Sequence, residues 1–166
     1  IDQVFPRLKI DNKSKYLAGV SIGGQIMSMN IPSRVFDGFK KIVLFSSGPR
    51  NSELPTIDFP EYMFFKYDDG IEFKNSCIGN WFDQCLSERG LQPIRLVTTN
   101  DDKYFFLQHS YDFQEFLAEN NTDCKVIDVG QGGHGGGWQI GIDRLTKLKF
   151  ESDKPDMSFL DWFLME

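Results

Sequence analysis

The stretch Tyr16–Gly24, which reads YLAGVSIGG, determines how the rest of the chain is interpreted. A short apolar run leads into Gly-x-Ser-x-Gly, and a segment with helical spacing follows at once. This order predicts a strand, a tight turn and a helix, with Ser21 at the tip of the turn, as in a nucleophile elbow. We expect Gly19 and Gly23 to be required there, because a side chain at either position would collide with neighbouring backbone.

Gly-x-Ser-x-Gly by itself is short, and a small-residue turn without chemistry fits it about as well. The elbow interpretation needs an acid and then a histidine further along the chain, each after a strand. Asp102 and His134 stand in that order. A serine hydroxyl needs a base within hydrogen-bond reach, and the base needs an acid that orients it. The sequence therefore predicts Ser21 as nucleophile, His134 as base and Asp102 as acid.

The rest of the chain alternates between strand and helix patterns. Strands are predicted at 16–20, 39–46, 93–99 and 125–129, with an irregular excursion over 51–75. Helices are predicted at 1–8, from Ile22 to Pro32, and at 76–89, 105–119, 138–148 and 157–164. This alternation predicts one domain over 1–166 of the α/β class, a parallel sheet with helices on both faces. Reactive groups would then lie at the carboxyl ends of the strands.

Several residues compete for the site. Asp101 adjoins Asp102, either carboxylate could cap the following helix, and motif position favours Asp102. Asp128 ranks lower as the acid because it falls within a strand. His134 could be an ordinary loop residue, and its neighbouring glycines could form a phosphate cradle, but no Gly-Lys-Ser/Thr follows them. His109 falls inside a predicted helix and is expected to be a surface or core histidine.

Composition excludes some classes of protein. The formal net charge is −6, and no basic stripe is visible, which argues against nucleic acid as a partner. No apolar run reaches the length of a membrane-spanning helix, so no membrane partner is predicted. The three cysteines, Cys77, Cys85 and Cys124, show no metal-binding spacing. Free thiols are expected, which favours a reducing, cytoplasmic location.

Taken together, three motifs resemble one family. Ile1–Pro49, with KYLAGVSIGG and FDGFKKIVLFSSGP, is similar to the esterases that include esterase D, the tributyrin esterases and the acetylxylan and feruloyl esterases. Thr99–Asp102 resembles the acid turn of that family, and Gly132–His134 resembles its Gly-Gly-His loop. The resemblance covers about residues 1–150.

The resemblance implies an α/β-hydrolase fold and hydrolysis of a carboxylic ester through an acyl-enzyme, without a metal or organic cofactor. It implies the Ile22 N–H as one donor of the oxyanion hole, and a small-molecule or carbohydrate-linked ester as substrate. Trp138 is a candidate for the pocket, although a buried tryptophan more often belongs to the packing. The chain departs from the family at Thr99, where glycine is usual, and in the three glycines between His134 and Trp138.

A larger departure concerns the N-terminal part of the domain in that family. Family members place four strands and a second oxyanion donor before the elbow. We therefore expect this chain to be the C-terminal portion of a longer hydrolase, or a partner to cover the edge of the strand at 16–20. Two functions compete: a serine esterase, and a non-catalytic, hydrolase-like module kept for binding or assembly. A peptidase or acyltransferase on the same fold is a third possibility.

Overall fold

The computed structural model of the chain describes residues 14–31, 35–48, 50–51, 66–67, 91–105, 107–136, 138 and 159–165. Within these residues the strands are β1 (Tyr16–Val20), β2 (Lys41–Phe45), β3 (Arg50–Asn51), β4 (Lys66–Tyr67), β5 (Ile94–Thr98) and β6 (Cys124–Asp128). The helices are α1 (Ser21–Asn30), α2 (Leu107–Glu119) and α3 (Phe159–Leu164), and residues 133–136 are also helical. The helices predicted at 1–8 and at 76–89, and residues 139–148 of the helix predicted from Trp138, lie outside the described residues, whereas α3 matches the helix predicted at 157–164.

The main sheet has four strands in the order β1-β2-β5-β6, and every neighbouring pair is parallel. Lys41 lies opposite Tyr16, and Ile42 lies opposite Ile94. The central strands β2 and β5 are apolar runs that are buried throughout their cores, as expected for parallel strands covered on both faces. The predicted parallel sheet and its four strand positions are confirmed.

The two faces of the sheet are covered by different helices. Alternate residues of β2 and β5 point to opposite faces, so each strand contributes to two clusters. On one face α1 and α2 cover a cluster that contains Ile31, Ile42, Leu44, Ile94, Leu96, Phe113, Phe116 and Leu117. On the other face Trp162 of α3 packs with Val43, Phe45 and Val97. The predicted helices on both faces are therefore present.

A buried charge ties α3 to the sheet. Arg95 is the second residue of the mainly apolar strand β5 and is only 2% exposed. Its guanidinium donates to both carboxylate oxygens of Asp123 at 3.1 Å, and its Cζ lies 4.5 Å from the ring centroid of Trp162. Lys41 lies over the same ring and donates to the carbonyl oxygens of Trp162 and Met165. These contacts satisfy the buried cation, because a planar guanidinium can bind a carboxylate and stack on an aromatic ring together.

The sequence did not foresee two local structures. The excursion predicted over 51–75 lies mostly outside the described residues and stays a prediction, and within it β3 and β4 pair in parallel as a separate two-stranded sheet. Strands of two residues are too short to show a periodic pattern in the sequence. The helix predicted to begin at Trp138 begins earlier, since residues 133–136 are already helical. The sequence did not predict this earlier start because the segment is rich in glycine, which has low helix propensity.

Among the described residues, β1 forms one edge of the main sheet. The prediction that a further segment or a partner pairs with its outer edge stays a prediction, as does the single domain over 1–166. Within the same residues, no helix is both long and apolar enough to cross a membrane. Cys124 is a buried free thiol, and burial raises its pKa to about 12.

Candidate active site

The turn between β1 and α1 holds Ser21 in a strained backbone conformation. Ser21 has a φ of 50°, in the left-handed region that residues other than glycine adopt rarely. It follows the last residue of β1 and is the first residue of α1. This geometry matches the predicted strand–turn–helix. It puts the serine at the carboxyl edge of the sheet and at a helix N-terminus.

The glycines that this turn needs are Gly19 and Gly24. A Cβ on Gly19 would lie 2.6 Å from the Cα of Gly24, and a Cβ on Gly24 would overlap the side chain of Ser47. The strand and the helix therefore touch through these two glycines. The prediction that Gly23 is sterically required was wrong, because a Cβ there meets nothing within 4 Å among the described residues.

Alanine at Gly24 should lower the stability of the protein, whereas alanine at Gly23 should not. Gly24→Ala inserts a methyl group where Ser47 already lies, and overpacking of this kind typically costs about 1–3 kcal/mol. Gly23→Ala meets open space inside a helix and should be neutral or stabilising, by up to ~1 kcal/mol. Urea unfolding of both variants measures the difference. Equal losses of stability would contradict the close approach of β1 and α1.

Ser21, His134 and Asp102 form one continuous chain of contacts. Ser21 Oγ lies 2.7 Å from His134 Nε2, and His134 Nδ1 lies 2.9 Å from Asp102 Oδ2. The three residues follow β1, β6 and β5 respectively. The imidazole is partly exposed, whereas the Asp102 side chain is fully buried. If Nδ1 carries the proton and donates to Asp102, then Nε2 is free to accept the hydroxyl proton of Ser21.

Backbone amides hold the carboxylate of Asp102 in place. The N–H groups of Tyr104 and Phe105 donate to Oδ1 at 2.8 and 2.9 Å, which leaves Oδ2 for His134. An aspartate that binds the amides two and three residues further on is typical of a turn or a helix cap. Tyr104 and Phe105 precede α2, which begins at Leu107, so these hydrogen bonds hold a turn and do not cap the following helix. Asp102 thus binds the turn with one oxygen and contacts the imidazole with the other.

The neighbouring carboxylates have other partners. Asp101 is exposed, and its Oδ1 accepts from the N–H groups of Gly132 and Gly133 at 2.9 and 2.8 Å. These two hydrogen bonds lower the pKa of Asp101, because they stabilise its ionised form. Asp128 accepts from the N–H of Gly130 at 2.8 Å. Of the three carboxylates considered, Asp102 is the one that contacts the imidazole.

The other candidates are placed as follows. His109 is buried in α2, and its ring is edge-on to Phe105, so it is a core histidine. Ile22 follows Ser21 in the first turn of α1, where backbone N–H groups lack partners within the helix. Trp138 is 39% exposed, four residues after His134, and its place in a pocket stays a prediction.

Sequence reasoning missed Tyr104. Its ring lies against the imidazole of His134, with 5.0 Å between the ring centroids and 54° between the planes, and it is 39% exposed. Tyr104 therefore contributes an apolar surface beside the imidazole of His134. Its position two residues after Asp102 was the available signal, but spacing alone does not distinguish such a contact from a surface tyrosine.

No protein-family model matches the chain. A curated relative, the endonuclease 4 homolog of Dictyostelium discoideum, is 31% identical over 124 residues. That alignment covers 71% of this chain and 20% of the relative, so the chain spans about a fifth of the relative's length. The match is too partial to place the chain in the family of that relative.

Solved structures establish the fold. The chain matches fluorophosphonate-binding serine hydrolase F of Staphylococcus aureus with a TM-score of 0.65 and 19% identity, over 99% of this chain and 60% of that one. It matches S-formylglutathione hydrolase of the same organism with a TM-score of 0.59 and 21% identity, over 86% of this chain and 54% of that one. Together with the parallel sheet and its helices, these matches show an α/β-hydrolase fold.

Proposed function

We propose that the chain carries the catalytic centre of a serine carboxylic-ester hydrolase. The observation that supports this most directly is the unbroken series of contacts from Ser21 through His134 to Asp102, at 2.7 and 2.9 Å. A nucleophile, a base and an orienting acid in hydrogen-bond contact are what acyl transfer requires. The strained backbone of Ser21, at the start of a helix, adds the geometry of an exposed nucleophile.

In the first half of the proposed reaction, Ser21 Oγ attacks the carbonyl carbon of the ester while its proton moves to His134 Nε2. The carbonyl π electrons move onto oxygen, which becomes an oxyanion. The Ile22 N–H is the donor we assign to that oxyanion, assisted by the N-terminus of α1. Asp102 stabilises the imidazolium. The intermediate then expels the alcohol, which takes the proton from His134, and leaves an acyl group on Ser21.

In the second half, His134 removes a proton from water, and the resulting hydroxide attacks the acyl carbon. Collapse of this second intermediate breaks the bond to Ser21 Oγ, which recovers its proton from His134. The products are a carboxylic acid and the free serine. This chain's own residues supply every proton transfer, so the proposal needs no metal or organic cofactor.

The comparisons favour a hydrolase on this fold, since both solved structures named above are described as hydrolases. The curated relative carries the name of an endonuclease, but the matched segment is 20% of its length. The formal net charge of −6 does not favour a polyanionic substrate. We therefore propose a small-molecule or carbohydrate-linked ester rather than a nucleic acid.

Labelling with a fluorophosphonate tests the proposal without knowledge of the substrate. Such probes react with an activated serine, so we expect covalent modification of the gene product that contains this chain. Mass spectrometry of the digested protein should place the phosphonyl group on Ser21. Ser21→Ala should remove the label, whereas the matched variant Ser14→Ala, a change at an exposed serine before β1, should keep it.

Two results would count against the proposed function. Labelling that survives in Ser21→Ala would mean that another serine is the reactive one. A folded gene product that takes up no label would favour the hydrolase-like binding module over the enzyme.

A further inference from the structure

The catalytic groups come from opposite edges of the described sheet. Ser21 follows β1 and His134 follows β6, and the strand order β1-β2-β5-β6 separates these two strands by three intervals. At about 4.8 Å per interval, β1 and β6 lie ~14 Å apart. Ser21 Oγ and His134 Nε2 are nevertheless 2.7 Å apart. The segment that carries His134 must therefore lean back across β5 towards β1.

Three consecutive residues of the turn after β5, numbers 99–101, form hydrogen bonds with residues 130–133, which directly precede His134. The Thr99 hydroxyl donates to the carbonyl oxygen of Gly133 at 2.8 Å, and the Asn100 N–H donates to the carbonyl oxygen of Gly130 at 3.0 Å. Asp101 accepts from the N–H groups of Gly132 and Gly133. The last of these contacts lie next to His134, so the turn fixes the backbone from which the imidazole extends.

Asp101 contributes a charged acceptor to these interactions, whereas the other two acceptors are backbone carbonyl oxygens. Its carboxylate binds two successive amides at the point where the helical turn 133–136 begins. A carboxylate at a helix N-terminus satisfies amides that have no partner within the helix and interacts favourably with the helix dipole. Charge-assisted hydrogen bonds are also about twice as strong as neutral ones.

We propose that Asp101 is a positioning residue: through the amides of Gly132 and Gly133 it fixes His134 over the sheet, within reach of Ser21. This inference rests on the proposed function, because it assigns Asp101 a part in that same reaction. Asp101 itself touches neither the nucleophile nor the imidazole in the described contacts. Its effect is on the placement of the base.

The ionisation of Asp101 sets the pH range of this effect. Its hydrogen bonds to Gly133 and Gly132 lower its pKa below the ordinary value of 3.8. The contribution of a carboxylate whose folded-state pKa is lowered is complete above the unfolded value and is lost as pH falls through the folded value. Asp101 therefore stays ionised at every pH from 5 to 9, and the effect of removing it should be constant over that range.

The experiment measures the inactivation kinetics of the gene product that contains this chain, with a fluorophosphonate probe. In Asp101→Ala we expect the maximal inactivation rate, kinact, to fall ~10–100-fold, because small misplacements of a catalytic group have effects of that size. The half-saturating concentration, KI, should change little, since Asp101 is not proposed to bind the probe. Asp101→Asn keeps an acceptor oxygen and should give an intermediate kinact. Glu115→Ala, which removes an exposed acid on α2, is the matched control.

Hydrogen exchange supplies a readout that does not depend on activity. The amides of Gly132 and Gly133 should exchange faster in Asp101→Ala, while those of β5 keep their protection. Unchanged exchange and unchanged kinact in Asp101→Ala would overturn the positioning role, even if Ser21 is labelled normally. A wild-type protein without Ser21-dependent labelling would overturn the proposed function instead. Faster exchange in Asp101→Ala would then still show that Asp101 holds the amides of Gly132 and Gly133.

A second variant keeps the test decisive if alanine at this position disturbs folding. Asp101→Ser retains a polar residue suited to a turn, but its side chain is too short to reach both amides. We expect it to behave like Asp101→Ala in kinact and in exchange at 132–133. Wild-type values for both quantities, in a protein whose β5 amides remain protected, would equally contradict the proposal.

Discussion

Removing Ser21 and His134 together should slow ester hydrolysis no further than removing either residue alone. Each single alanine variant is expected to lower kcat by about 10⁶-fold, the size of effect seen when one member of such a unit is lost. The two side chains are proposed to act through one proton transfer across the 2.7 Å contact. Loss of either side chain therefore already removes the function of the other. Independent contributions would multiply to a much larger loss.

A double-mutant cycle measures this coupling. Rates of hydrolysis of an activated aryl ester are compared for the gene product that contains this chain, the Ser21→Ala and His134→Ala variants, and the double variant. His109→Ala serves as a control for removal of a histidine, since His109 lies in the core beside Phe105. Losses that multiply in the double variant would contradict a shared reaction step. A wild-type rate in His134→Ala would exclude it as the base.

Asp102→Asn should lower kcat by about 10⁴-fold while leaving the fold intact. The reason lies in the two amides of Tyr104 and Phe105, which both donate to Oδ1. An asparagine would place its one oxygen there to accept them, and its NH2 group would face His134 Nδ1. That nitrogen would then have to accept, so the proton would move to Nε2, and Nε2 could no longer accept the proton of Ser21.

The same substitution one residue earlier is the matched control. Asp101→Asn changes the same charge in the same turn without altering the partner of the imidazole, so its loss should be far smaller. Activity against an aryl ester and thermal unfolding of both variants give the comparison. Equal losses in the two variants would indicate that the turn as a whole is sensitive, and would contradict the tautomer explanation for Asp102.

Residues that follow the carboxyl ends of parallel strands could be predicted from the sequence to lie together. Parallel strands are recognisable from apolar runs such as Ile42–Phe45, and their carboxyl ends share one edge, so residues far apart in sequence could be predicted to meet there. This is why Ser21, Asp102 and His134 were selected together, and the structure brings their side chains into contact.

The features that were missed depend on three-dimensional contacts without a sequence pattern. The glycine with the closest contact is Gly24 and not Gly23, which only the approach of β1, α1 and Ser47 decides. Asp101 and Asp102 are chemically identical neighbours that both bind backbone amides, and the direction of each carboxylate decides which of the two also reaches the imidazole. Arg95 interrupts an apolar strand, and its burial depends on Asp123 and Trp162 from distant parts of the chain.

The strand order has a consequence for how this centre assembles. Ser21 precedes β2, whereas Asp102 and His134 follow β5, so any division of the chain between β2 and β5 separates Ser21 from His134. In the structure the contact between Ser21 and His134 accompanies the pairing of β2 with β5. If Ser21 is labelled as proposed, we expect two such fragments to recover the covalent label only when they associate, and fragment complementation can then be measured by that label.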